Sequence, residues 1–148
     1  MVLIRILFFN NLLHSFGAGP HEVEFTIILD QKEEKFVVEL ASIDDVPHAV
    51  HQFLEQVQHG LWAGCFFYLN GPHVVQAGPA LAEDDEADAE EGEDTRISSK
   101  PFQELGLDYL AFPDYSDNFP HKTWTLGFTG RPGGPDIYIN KVDNEESQ

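Results

Sequence analysis

The sequence predicts a mainly β protein, its strands antiparallel, with one helix packed against them. Three observations carry that reading. Stretches in which apolar and polar residues alternate outnumber the single stretch with a helical period. The connections between them are short and rich in turn-forming residues. Twelve phenylalanines in 148 residues point to a core of large side chains, in a chain of one-domain length.

The opening run, MVLIRILFFNNLLHSFGAGP, is apolar, with Arg5 its one charged side chain. It is shorter than the roughly 20 apolar residues that a membrane span needs, so no stable span is expected. Residues 1–20 form an apolar leader. They read either as a targeting segment, with small residues at FGAG, or as an ordinary N-terminal element. A cytoplasmic location and the secretory pathway both fit.

Residues 21–140 are expected to be the domain. In HEVEFTIILD, Val23, Phe25 and Ile27 share one face, with Glu22, Glu24 and Thr26 on the other, as in a half-buried strand. QKEE reads as a turn and KFVVELA as the second strand of a hairpin. The helix follows in SIDDVPHAVHQFLEQVQHG, whose apolar Val46, Ala49, Val50, Phe53, Leu54 and Val57 keep a 3.6-residue spacing. Asp44 or Asp45 is placed to cap its start, Pro47 suits the first turn and Gly60 the end. GCFFYLN and HVVQAG are strands split by the turn at Asn70-Gly71-Pro72.

An insertion over residues 81–100 contains EDDEADAEEGED, in which nine of twelve residues are acidic. Such a run has nothing to bury and repels itself, so a disordered or extended loop is expected. The next stretch, with Pro101, Pro113 and Pro120 among scattered aromatics, reads as irregular with one helical turn. TWTLGFTG and DIYIN are the last strands, and 141–148 is a polar tail.

Charge narrows the function classes. With 26 acidic residues against 8 basic ones, the net charge is −18. Nucleic acid and anionic membranes repel such a surface. A basic protein partner drawn to the acidic loop is compatible with it. Cys65 is the only cysteine, so no internal disulfide and no multi-cysteine zinc site is available.

No residue set makes a catalytic or cofactor site by its own pattern, and neither a cofactor nor a metal is expected. The loop of WTLGFTGRPGGPDIYIN holds three glycines, but Pro135, Asp136 and a strand-like run follow. A phosphate cradle needs a lysine and a helix there. Two of the loop's residues, Pro132 and Pro135, have no N–H to offer. The loop reads instead as one wall of a peptide groove. His48, His51, Glu55 and His59 share the polar side of the helix without an HExxH pattern, and a solvated face is expected. Cys65 lies in a strand-like run without a basic neighbour to activate it.

Three strings in order resemble the cyclophilins, the β-barrel peptidyl-prolyl isomerases. FVVELASIDDVPHAVHQFLEQVQHGLWAGCFFYLN is similar to that family's second strand, first helix and next strand, which ends in Phe-His-Arg. HVVQAGP resembles the strand bearing Gln-Gly-Gly. WTLGFTGRPGGPDIYIN resembles the Leu-Ser-Met-Ala-Asn strand, its loop and the Gln-Phe-Phe-Ile strand. The likeness covers about residues 22–140. It implies an antiparallel barrel with one packed helix, incomplete at the C-terminus because the family's closing elements have no counterpart here. A chain without them could also be a fragment with no independent function.

The resemblance implies binding of X–Pro peptide. The family's arginine donates to the prolyl nitrogen and weakens an amide resonance whose barrier is about 18–20 kcal/mol. Leu69 stands at that arginine, so isomerase activity is expected to be weak or absent. Phe67 stands at the preceding aromatic, with Tyr68 at the histidine between them. Gln76 matches the substrate-binding glutamine. His73 falls at a pocket phenylalanine, where the loop before it is one residue shorter and the register can slip. Thr129 falls near the peptide-binding backbone. Asp136 replaces a glutamine, and Ile137 and Tyr138 replace two aromatics. The resemblance thus implies a binding set of Phe67, His73, Gln76, Thr129, Ile137 and Tyr138, either weakly isomerising or serving a non-catalytic module for proline-containing peptides.

Overall fold

A computed structural model of the chain describes residues 16–17, 19–79, 97–130 and 134–143, and the backbone alone of residues 3–7. The acidic run lies outside them, as does Arg131, the arginine of the glycine loop.

Strands β2 (Glu22–Leu29) and β3 (Lys32–Glu39) form the expected hairpin. Its turn is tighter than QKEE suggested. Asp30 and Gln31 both take positive φ, 48° and 67°, as a two-residue hairpin turn requires. Lys32 to Lys35 therefore continue the ladder, and Lys35 Nζ reaches Glu24 at 2.7 Å. Val23 and Phe25 are buried, and Phe25 stacks on Phe36 at 4.8 Å.

Part of the leader is strand. β1 (Leu3–Leu7) runs antiparallel to β2, from Leu3↔Ile28 to Leu7↔Glu24, and touches the next ribbon at Leu3↔Phe66. A short, nearly continuous apolar run suits a strand paired on both sides.

Helix α1 (Pro47–Gln58) buries Val50, Phe53, Leu54 and Val57, as its period predicts. Its end is also where expected, with Gly60 at φ 68°. Its start is not capped by Asp44 or Asp45. Asp114, some 65 residues further on, accepts from the amides of His48 and Ala49 at 2.6 and 2.9 Å. Asp45 is instead engaged by Ser116 Oγ (3.3 Å) and Asn118 Nδ2 (2.9 Å).

Strands β4 (Phe66–Asn70) and β5 (Val74–Gly78) pair around a register shift between Phe67 and Leu69. The irregular stretch holds the one short helix, α2 (Lys100–Glu104), which buries Phe102 against Trp62. Of TWTLGFTG only β6 (Leu126–Phe128) is strand. Trp124 takes φ 68°, and Thr123 turns aside to donate its N and Oγ1 to Asp143 at 2.8 and 2.9 Å. Those donors hold the Asp143 carboxyl below its ordinary range. β7 (Ile137–Asn140) closes the order.

All pairings are antiparallel, in the order β3-β2-β1-β4-β5-β7-β6. The molecule is therefore mainly β, as predicted; the described strands make an open sheet, and the incomplete barrel that the resemblance implies is not seen in their order. β3 and β6 are its two edges. One residue pair, Leu3↔Phe66, joins a β3-β2-β1 ribbon to a β4-β5-β7-β6 ribbon. The core spans both, with Phe25, Phe53, Trp62, Ala77 and Ile137 in one cluster. Inside it Gln56, fully buried, donates to Leu107 O at 2.8 Å and accepts from Trp62 Nε1 at 3.3 Å, tying α1 to the stretch after α2.

Candidate functional site

The β4-β5-β7-β6 ribbon has two unlike faces, set by strand alternation. Phe67, Ala77, Ile137 and Phe128 lie across from one another and turn toward the core. Gln76, Tyr138 and Gly127 lie across from one another on the outer face.

Two glycines shape that outer face. A Cβ on Gly127 would meet the Tyr138 hydroxyl at 2.7 Å and its ring at 2.8 Å, so the phenol lies across β6 only because no side chain is there. A Cβ on Gly78 would collide with the Asp136 carboxylate, which lies over that glycine in the same way. Tyr138 Oη is 3.0 Å from His121 Nδ1. Burial pushes the Tyr138 phenol above its ordinary 10.0, and the nearby Tyr115 adds to this. Tyr68 donates its hydroxyl to Asp136 Oδ2 at 2.5 Å, with Gln76 Oε1 3.4 Å away. The face thus carries a carboxylate, an amide, an imidazole and two phenols, spread over an open surface. Such a set can hydrogen-bond a peptide backbone and pack against an apolar ring.

The structure brings together only part of the expected binding set. Gln76 and Tyr138 are neighbours across the β5–β7 ladder. Ile137 is fully buried on the opposite face, so it belongs to the core and not to a binding surface. Phe67, half-buried, also packs on the core. Thr129 spends its backbone on the loop: its N donates to Asp136 O at 2.9 Å and its carbonyl accepts from Gly134 N at 2.8 Å. His73 is exposed before β5, where its carbonyl accepts from Lys141 N at 2.7 Å. Leu69 sits opposite Gln76 and is 40% exposed. Lys141, just after β7, donates its Nζ to Asn70 Oδ1 and Gly71 O at 3.0 and 2.9 Å.

Sequence reading missed Tyr68, His121 and Gly127 as members of this face. Their roles depend on pairing across strands, which no local pattern announces.

On the helix, Glu55 lies 3.8 Å from His51 and 3.5 Å from His59, both exposed. Among the described residues, no group of three or more His, Cys, Asp and Glu is placed to hold a metal. Cys65 is fully buried, with Sγ 3.6 Å from Leu61 O. A cleft of about 310 Å³ opens between α1 and residues 106–112, lined by His48, His51, Tyr109 and Phe112 among others. No helix among the described residues is long and apolar enough to cross a membrane. Comparison with protein-family models, curated proteins and solved structures gives no match.

Proposed function

We propose that the chain is a cyclophilin-like module that binds X–Pro peptide segments on the outer face of β4-β5-β7-β6 and isomerises them weakly or not at all. The observation that carries this reading is the pairing of Leu69 with Gln76 on the face that also holds Tyr138. The resemblance puts a substrate-binding glutamine at Gln76 and a catalytic arginine at Leu69. A leucine has no donor for the prolyl nitrogen. Lys141, the cation that follows β7, is engaged at the β4–β5 turn. Binding groups without an electrophile hold the peptide but leave the amide barrier nearly intact.

The test is an isomerisation assay on an X–Pro peptide with the purified chain and with Leu69→Arg. The wild type should leave the exchange close to its unaided tens to hundreds of seconds. Leu69→Arg should accelerate it by about tenfold or more, a drop of only ~1.4 kcal/mol in the barrier. Fast turnover by the wild type would show that catalysis does not need the arginine position. No gain in Leu69→Arg, with the variant folded, would show that residue 69 does not face the bound proline.

A further inference from the structure

We infer that the stretch from Leu105 to Trp124 is a docking surface for an arginine-rich segment of a partner protein. The inference does not depend on the prolyl-peptide reading: the two share the His121–Tyr138 contact, but the exposed rings that carry it are not among that reading's binding groups.

The stretch inverts the usual division between polar and apolar. Its polar side chains hold it to the body of the molecule. Asp114 takes the first amides of α1. Ser116 and Asn118 reach Asp45, His121 reaches Tyr138, and Thr123 reaches Asp143. Leu107 and Leu110 turn inward, but its phenylalanine, tyrosine and tryptophan rings face solvent: Tyr109 is 50% exposed, Phe112 70%, Tyr115 55%, Phe119 45% and Trp124 77%. A merely solvated loop gains nothing from this, since burying such a ring is worth about 1.5–3 kcal/mol. Rings displayed on an anchored backbone are already ordered for a partner, and aromatic anchors carry much of the binding energy at interfaces. Phe112 and Tyr109 also form one wall of the cleft against α1, facing His48 and His51.

Charge selects the occupant. Residues 105–124 carry Asp108 and Asp117, besides the anchoring Asp114, against the single basic Lys122. The whole chain is at −18, so a second copy, an anionic bilayer and a nucleic acid are all repelled. A cationic segment is attracted. Arginine suits this surface better than lysine: its planar, weakly hydrated guanidinium stacks on aromatic faces and pairs with carboxylates through two parallel bonds.

The experiment titrates the full chain into a labelled nonaarginine peptide, with nonalysine and nonaglutamate peptides beside it, at a pH where the histidines are neutral. Nonaarginine should bind, nonalysine several-fold more weakly and nonaglutamate not at all. Because the acidic run at 83–94 also attracts arginine, two variants separate the sources. One carries Phe112→Ser, Tyr115→Ser and Trp124→Ser together. The other replaces the acidic residues of 83–94 by their amides. The aromatic variant should lose about tenfold or more in affinity, in the wild-type background and in the neutralised one. Bound peptide should also shield the exposed Trp124 from acrylamide, while the fully buried Trp62 reports an unchanged core. This second readout needs no variant. The inference is overturned if the aromatic variant binds nonaarginine as tightly as the wild type, if the peptide leaves Trp124 unshielded, or if nonaarginine does not bind. Self-association that the triple variant abolishes, or capture by phosphatidylcholine vesicles, would equally overturn it by assigning the rings to another occupant.

Discussion

At the scale of residues, the outer face is built by what is missing as much as by what is present. Tyr138 lies across β6 because position 127 is glycine, and from there it reaches His121. Gly127→Ala places a methyl where the phenol lies and must push the ring away. The expected result is loss of the Tyr138–His121 contact and at least a several-fold weaker grip on an X–Pro peptide, with the core untouched; nuclear magnetic resonance shifts of the His121 ring would report it. Burial holds the Tyr138 phenol above 10.0 in the folded chain, so folding favours the neutral form. That contribution is present below pH 10 and is lost as the pH rises through the raised value. Urea melts should therefore show the wild type losing stability relative to Tyr138→Phe as the pH rises from 8 through the raised value, whereas a constant difference would mean that the phenol titrates alike in both states. Gln76 and Tyr138 entered the expected set through the resemblance, and their pairing across the β5–β7 ladder came only with the structure. Ile137, next to Tyr138 in the same strand, turns to the opposite face and is buried in the core, because in a strand one residue reverses the face.

At the scale of elements, the hairpins and α1 followed from their periods, while their junctions did not. The start of α1 is the clearest case. Local sequence offered Asp44 and Asp45, but Asp45 is drawn into contacts with Ser116 and Asn118, and Asp114 supplies the cap from a distant stretch. A cap provided through tertiary contact leaves no sequence signal near the helix. Asp114→Ala should remove two amide contacts at once and cost about 1–2 kcal/mol, read as a lower urea midpoint. Asp44→Ala, whose carboxylate makes no cap, should stay within about 0.5 kcal/mol of wild type. The same stretch carries the exposed rings, so loosening Asp114 should also weaken nonaarginine binding. β6 illustrates the opposite error: TWTLGFTG has strand composition, but the positive φ at Trp124 and the bond from Thr123 to Asp143 reduce it to Leu126–Phe128.

At the scale of the whole molecule, a mainly β sheet with one helix was legible from alternation and composition, and its closure was not. Which strands meet is decided by contacts far apart in sequence. β1 lies between β2 and β4, though its residues read as a leader, and its one ladder pair with β4 joins two ribbons whose far edges are not paired with each other. The ribbon β4-β5-β7-β6 alone provides the outer face with Gln76, Tyr138 and Tyr68, so peptide binding there does not require a closed barrel. The most direct measurement is a titration of the isotope-labelled chain with an X–Pro peptide, following backbone amide shifts while the peptide's own cis and trans signals are recorded. Saturating shifts should gather at Gln76, Tyr138, Gly127 and Leu69, with cis and trans peptide exchanging at close to the unaided rate. Shifts confined to other surfaces, or rapid merging of the cis and trans signals, would contradict a proline-peptide module that lacks its catalytic arginine.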